Sequence, residues 1–405
     1  MNTAIETVEF ALDSEQYRQD PYATYRDVRD RHRIFWHEGF DAYVVPRYDD
    51  VAAVLRSSRW HVRPGAGFLE RQLAANETVN QLMQGFYFFL DEPAHRRLRS
   101  VVSTTFTPRI VSRFVPRIQQ IVDELLDASI GERGEMEFMS ELAYPLTIRV
   151  VTEILGVVDE EDQKFFADRA LALAGLLEWD ASVERVNAGG ESMMEIGTRF
   201  LDLMEARQQE PRDDLLSALI AAQAEGRTSD SFEVIFMCVL LTTVGYETTM
   251  NLLGNGANAL LTHRDQYELL QREPGAVVNG VDEILRWDAP VQVTARTAME
   301  DIQVADTVIA KGEQVVVLLA GANRDPSQFP DPDRLDLRRP NANRHMSFAH
   351  GPHFCLGAAL AKAEGEIVFG TLARRFPKAR LGPDPQWRDT AILRAFDRLP
   401  VEAGR

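Results

Sequence analysis

The 405-residue sequence predicts a mainly α-helical fold with a small β region. Between about Arg97 and Thr262, apolar residues recur at intervals of three and four, the spacing of amphipathic helices. After Arg286 the pattern changes to β-like runs such as VQVTARTA and VVVLLAG, and a last helical pattern follows Gly357. Neither a repeat nor a Pro/Gly/Ser-rich linker divides the sequence, so we expect one domain over residues 1–405.

The chain carries a strong negative charge. Its 62 acidic residues outnumber its 44 basic ones, which gives a formal net charge of −18 at pH 7. Such a surface repels nucleic acid and anionic lipid. The charge-free apolar stretch from Val234 to Tyr246 is shorter than the ~20 residues that cross a bilayer, and the first residues lack the basic start of a signal peptide. We therefore expect a cytoplasmic monomer that binds neither nucleic acid nor membrane.

The two cysteines, Cys238 and Cys355, are too few for a disulfide framework and indicate a reducing compartment. Cys238 lies on an apolar helical stripe, which is typical of a core residue. Cys355 lies in the loop FAHGPHFCLG, which runs from Phe348 to Gly357 just before the last predicted helix. Glycines let a backbone fold tightly around a sulfur, and amides at a helix N-terminus stabilise a thiolate. The alternative is a buried, inert cysteine.

An acid and hydroxyls interrupt an otherwise apolar helical pattern at VGYETT, from Val244 to Thr249. Burying such groups costs free energy, so they need a partner or a role. The adjacent Glu247 and Thr248 could form a short proton relay into a dry pocket. The alternative is a hydroxyl that only bonds back to a helix carbonyl.

Taken together, these segments resemble the cytochromes P-450 of the soluble bacterial type. The Cys355 loop matches the family's haem-binding signature F-x-x-G-x-H-x-C-x-G at every fixed position. The VGYETT segment resembles the family's (A/G)-G-x-(D/E)-T pattern, except that Val244 stands where the family has a small residue and should narrow the space over the haem. The resemblance extends from about Asp20 to the C-terminus.

The resemblance implies a P-450 fold in which heme b, an iron-protoporphyrin IX, lies between a long central helix and the Cys355 loop. Cys355 would be the iron ligand, and Glu247 with Thr248 would deliver protons for the activation of O2, the co-substrate. His95, Arg99, Arg296 and His353 match the family's contacts to the haem propionates. The full set of implied cofactor-binding residues is His95, Arg99, Arg296, Phe348, His353, Cys355 and Gly357.

A buried ion-pair network is also implied. Glu283-Ile-Leu-Arg286 resembles the family's E-x-x-R helix, whose two charged residues share one helical face. Arg334 resembles the arginine that completes this network, and Arg339 is the second choice. An E-x-x-R motif alone could equally be a solvated helix pair.

The resemblance implies a monooxygenase that hydroxylates or epoxidises a bulky, largely apolar small molecule, in bacterial secondary metabolism. Oxidative C–C or C–N coupling or ring formation on the same scaffold is the first alternative. A non-catalytic haem sensor and a haem-free relative in which Cys355 only packs are the others. By family position, the substrate pocket would include Phe86, Phe88, Leu240, Thr243, Val244, Gln292, Ile392 and Leu393.

Electrons must come from outside the chain, because the sequence shows no flavin- or dinucleotide-binding segment. We expect a separate ferredoxin or flavodoxin with its reductase, drawing ultimately on NAD(P)H. Such acidic partners need basic groups on the cysteine side. The candidates are Arg96, Arg97, Arg109, Arg113 and Lys362.

Overall fold

The computed structural model describes residues 5–10, 14–62, 76–104, 106–130, 134–177, 182–390 and 392–404. As the sequence predicts, this part of the chain is mainly helical, and its strands form small sheets. The α-helices are α1 (Glu15–Gln19), α2 (Pro21–Arg31), α3 (Tyr48–Arg56), α4 (Glu77–Met83), α5 (Ala94–Ser103), α6 (Pro108–Ile130), α7 (Tyr144–Leu155), α8 (Glu160–Ala174), α9 (Val183–Gln209), α10 (Leu215–Ala224), α11 (Ser231–Thr262), α12 (Arg264–Arg272), α13 (Ala276–Trp287), α14 (Leu319–Asn323) and α15 (Ala358–Arg375). The strands are β1 (Phe35–His37), β2 (Ala42–Val45), β3 (Trp60–His61), β4 (Glu135–Glu137), β5 (Val293–Ala298), β6 (Ile302–Val304), β7 (Thr307–Ile309), β8 (Gln314–Leu318), β9 (Arg380–Leu381), β10 (Gln386–Trp387), β11 (Phe396–Arg398) and β12 (Pro400–Glu402).

The chain forms two compact units. The first comprises residues 1–65, 115–143 and 248–405, and the second comprises residues 66–114 and 144–247. Each unit is described by itself below. One domain over residues 1–405 stays a prediction.

Side-chain caps define several helix starts in the second unit. Asp159 accepts hydrogen bonds from two amides at the start of α8, and Ser182 and Asp214 accept one each at the starts of α9 and α10. Short polar side chains of this kind satisfy amides that have no partner within a helix. Within the long helical pattern of the sequence, these Ser and Asp residues therefore mark where individual helices begin.

The largest sheet of the first unit has the strand order β1-β2-β8-β5-β3. Strand β2 runs parallel to β8, and the other neighbours are antiparallel. All five residues of β8 are buried, which explains its continuous apolar run. The predicted VVVLLAG strand ends earlier than expected, at Leu318, because Leu319–Asn323 forms the short helix α14.

Helix α11 is the longest helix among the described residues, and it contains the Glu247–Thr248 pair. Among these residues, it is also the one helix whose length and hydropathy would suit a membrane span. Because 67% of its most apolar window is buried within the protein, the pattern is that of a core helix. Two glycines of α11 allow neighbouring helices to pack close to it. A Cβ on Gly245 would lie 2.7 Å from Cγ2 of Val151 in α7, and one on Gly256 would lie 2.2 Å from Cζ of Phe369 in α15.

We expect the substitution Gly256→Ala to destabilise the protein. The added methyl group would overlap the Phe369 ring of α15, and overpacking a core costs about 1–3 kcal/mol, more than the ~1 kcal/mol that alanine gains over glycine in a helix. The measurement is urea unfolding of the holoprotein. Gly370→Ala in α15 is the matched control, since nothing lies within 4 Å of its new Cβ, and this variant should be as stable as the parent or more so. Equal stability of the two variants would contradict the close packing of α11 on α15.

Candidate active site

Cys355 lies between a turn of 3-10 helix at Gly351–His353 and helix α15, which begins at Ala358. The Cys355 amide donates a hydrogen bond of 2.9 Å to the Phe348 carbonyl, and the Phe354 amide donates one of 3.1 Å to the Gly351 carbonyl. The cysteine is solvent-exposed, and the N-terminus of α15, a few residues further on, provides a partial positive charge that favours a thiolate. The loop therefore presents a thiol that can ionise and bind a metal.

The two glycines of this loop have different roles. Gly351 has a φ of +75°, and a Cβ there would lie 2.6 Å from the Leu55 carbonyl oxygen and 2.9 Å from Cα of Arg56. Any larger residue at 351 would force the loop away from the end of α3. Gly357 has φ −82°, and its Cβ would lie 4.0 Å from Sγ of Cys355, an ordinary contact. The tight fold predicted from both glycines is thus required only at Gly351.

The chain that leads into the loop is fixed by Asn323 and by helix α13. The Met346 amide donates to Oδ1 of Asn323 (2.6 Å), and the Ser347 hydroxyl donates to the Leu285 carbonyl (2.6 Å) while it accepts from Nδ2 of Asn323 (2.8 Å). Asn323 is fully buried. Three hydrogen bonds at Met346 and Ser347 therefore hold the start of the loop against α13 and α14.

His345, Asp282 and Lys362 form a network that the sequence did not reveal. His345 Nε2 lies 3.3 Å from Oδ1 of Asp282, and Lys362 Nζ on α15 lies 2.7 Å from Oδ2. Burial lowers the pKa of His345 more than Asp282 raises it, so the ring is neutral and Nδ1 accepts from the Ser347 amide. Burial alone would raise the pKa of Asp282, but the hydrogen bonds from His345 and Lys362 outweigh it and lower the pKa. The network joins α13, α15 and the start of the cysteine loop.

Glu283 is the centre of the ion-pair network, and the third member is Arg339. The Glu283 carboxylate receives two hydrogen bonds from Arg286 (2.7 and 2.8 Å) and two from Nε of Arg339 (3.0 and 3.1 Å). The prediction of Arg334 is wrong. The Arg334 side chain is exposed, and this residue contributes its backbone carbonyl, which accepts from the guanidinium groups of both Arg286 and Arg339.

Arg296 provides the test of whether the site suits an anionic cofactor. Its side chain is buried and donates hydrogen bonds to the Thr294 hydroxyl (3.2 Å) and the Ala295 carbonyl (2.7 Å). Within the part of the chain that the structure describes, no carboxylate pairs with it, and burial lowers its pKa to about 10. A buried cation without a counter-charge is costly. A propionate of haem would supply the missing charge, so the first unit fits the cofactor.

We expect Arg296→Leu to separate the stability of the haem-free protein from its retention of haem. Removing an uncompensated buried cation should leave the apoprotein as stable or more stable. Loss of a charge-assisted hydrogen bond, worth about 1.5–3 kcal/mol, should speed haem transfer to a scavenger globin about tenfold to a hundredfold. Arg380→Leu, whose side chain is 72% exposed in the parent, is the control. Unchanged haem transfer would remove Arg296 from the cofactor site.

His95 and Arg99 belong to the second unit, on α5. His95 is buried, with Nδ1 at 3.6 Å from the Glu92 carboxylate. Burial, and then the neighbouring Arg99 charge, lowers the pKa of His95. The imidazole is therefore neutral near pH 7 and able to donate one hydrogen bond, as a propionate contact requires.

Helix α11 has one face that is not fully packed. In residues 237–257 all side chains are buried except Val244, Gly245 and Thr248, which are half-buried. Val244 and Thr248 are four residues apart and therefore lie on one face. Glu247 beside them is buried. The predicted acid and alcohol are thus placed at the edge of a surface that a ligand could contact.

The predicted substrate-contact residues fall in both units. In the second, Leu240, Thr243 and Phe86 are buried, Phe86 packs edge-to-face on Phe236 (6.1 Å), and Phe88 is 40% exposed. In the first, Gln292 and Leu393 line a small cleft, and the backbone amide of Gln292 donates to the backbone carbonyl of Ile392 (2.9 Å). The Gln292 side-chain amide donates to the Ala289 carbonyl (2.5 Å). The structure therefore brings Gln292, Ile392 and Leu393 together.

Two buried polar residues went unnoticed in the sequence. Both side-chain polar atoms of Asn251 on α11, and Oε2 of Glu364 on α15, lack a hydrogen-bond partner among the described residues. Burial raises the pKa of the Glu364 carboxyl well above its usual value. Asn251 could have been found, because it lies three residues after Thr248 in an apolar helix.

Comparison with known proteins agrees with this geometry. The family model for Cytochrome P450 matches residues 192–386. A 6-deoxyerythronolide B hydroxylase of Saccharopolyspora erythraea is 38% identical over 403 residues, which cover 96% of this chain and 98% of the relative. The crystal structure of P450BioI in complex with an acyl carrier protein ligated to hexadec-9Z-enoic acid has a TM-score of 0.89 and 34% identity, and covers 96% of this chain and 100% of that one. CxnD, a P450 for C–S bond formation in chuangxinmycin biosynthesis, has a TM-score of 0.86 and 30% identity, and covers 100% and 99%.

The chain belongs to the cytochrome P450 family, in its bacterial branch. It is a monooxygenase, an oxidoreductase that uses O2 and a small-molecule substrate. The family works with heme b and receives electrons from NAD(P)H through partner proteins. Because these relatives are enzymes, a non-catalytic sensor is not retained as an alternative.

Proposed function

We propose that this P450 inserts one oxygen atom of O2 into a bulky, largely apolar molecule of bacterial secondary metabolism. We also propose that it works as a cytoplasmic monomer. The observation that carries the substrate class is the state of the polar groups on α11. Thr242 and Thr243 donate their hydroxyl hydrogens to the Cys238 and Val239 carbonyls (2.9 and 2.8 Å), so neither hydroxyl is left as a donor for a polar ligand.

The roles of the residues follow from their surroundings. Cys355 would ligate the haem iron, and Arg296, with His353, His95 and Arg99, would bind the propionates. Phe348 and Gly357 would flank the cofactor. The bound haem, with its thiolate ligand, supplies the oxidising chemistry. Glu247 would hold a proton at its carboxylate, and Thr248 would pass it on through its hydroxyl at the half-buried face of α11.

The electron donor in this proposal is a separate ferredoxin or flavodoxin with its reductase. Three of the five candidate docking cations form ion pairs within the chain: Arg96 with Glu92 (2.9 Å), Arg97 with Glu233 (2.6 Å) and Lys362 with Asp282 (2.7 Å). Arg109 and Arg113 are exposed and four residues apart on α6. They therefore favour docking of an acidic protein more than Arg97 and Lys362 do.

A second candidate function is oxidative coupling or ring formation. It is supported by the likeness to CxnD, an enzyme of C–S bond formation. Both reactions would use the same residues, because the intact Glu247–Thr248 pair does not distinguish them. Product mass does: hydroxylation adds one oxygen atom, whereas coupling removes two hydrogen atoms.

The test is a screen of macrolactones, fatty-acyl compounds and polycyclic aromatic compounds for the optical spin-state shift of the holoprotein, followed by turnover with a surrogate ferredoxin and reductase. We expect bulky apolar compounds to bind and small polar ones to fail. Leu240→Phe should weaken binding of the bulky ligand about tenfold by crowding the pocket, whereas Thr243→Val should leave it unchanged. Preferential binding of small polar compounds would contradict the proposed substrate class.

A further inference from the structure

Two tyrosines of the second unit hold helix α8 by its backbone. Tyr246 lies on α11 directly before Glu247 and is fully buried. Its hydroxyl donates a hydrogen bond of 2.7 Å to the Ala170 carbonyl of α8. Tyr144, the first residue of α7, donates its hydroxyl to the Ala167 carbonyl of the same helix. The two acceptors are three residues apart, so they lie on neighbouring turns of α8.

The two phenol rings also contact each other. Their centroids are 5.7 Å apart with an interplanar angle of 76°, which is the favourable edge-to-face arrangement. Gly245 brings α11 close enough to α7 for this contact, since any Cβ there would collide with Val151. Helices α7 and α11 therefore form one support, and the two hydroxyls fix the position of α8 upon it.

The Tyr144 phenol lies near two acids, one on α8 and one on α11. Asp168 lies between the two anchored carbonyls of α8. Burial, then the carboxylates of Asp168 and Glu247 in that order, raises the pKa of Tyr144 above its usual value. The Tyr144 phenol thus lies within electrostatic range of an exposed acid on α8 and a buried acid on α11. The neighbouring Arg169 cannot shield Asp168 freely, because it stacks on Phe165 (3.7 Å) and pairs with Glu195 of α9.

We propose that Tyr144 and Tyr246 are positioning residues, which fix α8 against α7 and α11 and thereby hold in place the α11 segment that carries Glu247. This inference rests on the proposed role of Glu247 in proton delivery. Neither tyrosine needs to touch substrate or cofactor. Their effect acts through the position of the α11 segment that carries Glu247.

The experiment uses Tyr246→Phe and Tyr144→Phe, which remove only the hydroxyls. Tyr267→Phe is the matched control, because the Tyr267 hydroxyl likewise donates to a backbone carbonyl, that of Phe376 (2.9 Å), but in the first unit. Hydrogen–deuterium exchange of the purified holoproteins reports the mobility of α8. We expect its amides to exchange about five- to tenfold faster in the two test variants and at the parental rate in Tyr267→Phe. Exchange in α8 equal to that of Tyr267→Phe would overturn the anchoring.

The second readout is how reducing equivalents divide between oxidised product and hydrogen peroxide, in H2O and in D2O. Because proton supply at Glu247 would change, we expect Tyr246→Phe and Tyr144→Phe to raise the peroxide fraction at least twofold and to alter the solvent isotope effect, with Tyr267→Phe unchanged. An unchanged division with a mobile α8 would overturn the link to Glu247. Glu247→Gln separates the two proposals: if it leaves the division unaltered, the proton role assigned to Glu247 is wrong, while the exchange result still judges the anchoring.

Discussion

The Cys355→Ala protein should lack the red-shifted Soret band that reduced, CO-bound haem shows when a thiolate is its ligand. This is the expected result, because Cys355 is the exposed cysteine in the loop just before α15, where the nearby helix N-terminus favours the ionised sulfur. Loss of the band should be complete, and turnover should fall to background. The measurement is the difference spectrum of the purified, reduced protein.

Cys238→Ala is the control for this result. Burial raises the pKa of the Cys238 thiol far above the usual range, so this cysteine stays protonated in the core near neutral pH. The Cys238 variant should keep the band in full. A Cys355→Ala protein that still showed the band would mean that another group ligates the iron.

The second large effect is expected for Glu283→Gln. The Glu283 carboxylate is 0% exposed and pairs with two buried guanidinium groups, those of Arg286 and Arg339. Removing one partner from a buried ionic network costs about 3–5 kcal/mol, a large part of the roughly 5–15 kcal/mol by which proteins are stable. We expect urea unfolding at much lower concentration, and little haem-loaded protein after expression.

Glu273→Gln is the matched control, since Glu273 pairs with Arg338 at a site where both side chains are more than half exposed. Such a pair contributes about 0–1 kcal/mol. The same comparison tests the assignment of the third network member: Arg339→Ala should destabilise strongly, and Arg334→Ala should not. A Glu283→Gln protein within ~1 kcal/mol of the parent, or equal costs at Arg334 and Arg339, would contradict the network.

The sequence predicted the helices and the central strands because their periodicity is local. It did not predict the sheet of β4, β12 and β9, in which Met136 pairs with Val401. Strands of two or three residues carry no alternation to recognise, and their pairing joins segments far apart in the chain. The choice between Arg334 and Arg339 failed for a related reason: a linear motif cannot tell a residue that contributes its guanidinium from one that contributes its carbonyl.

The residues of the candidate site also differ in how far the sequence alone could indicate them. Cys355 and the Glu247–Thr248 pair could be singled out in the sequence because their residue types and spacing are unusual, and their roles stay predictions. The His345–Asp282–Lys362 network was not found, because its members lie on three segments and each is individually ordinary. Gln292, predicted as a pocket group, lies beside Ile392, but its side-chain amide donates to the Ala289 carbonyl. Its role as a pocket residue stays a prediction.

The contact of Gly351 with the end of α3 makes two distant parts of the gene dependent on each other. The loop backbone lies so close to Leu55 and Arg56 that neither surface can change shape alone. In chimeric enzymes made by exchanging segments between related P450s, a crossover between residues 56 and 351 would combine an α3 end and a cysteine loop with different evolutionary histories. We expect haem incorporation in such libraries to be highest where both segments come from the same parent.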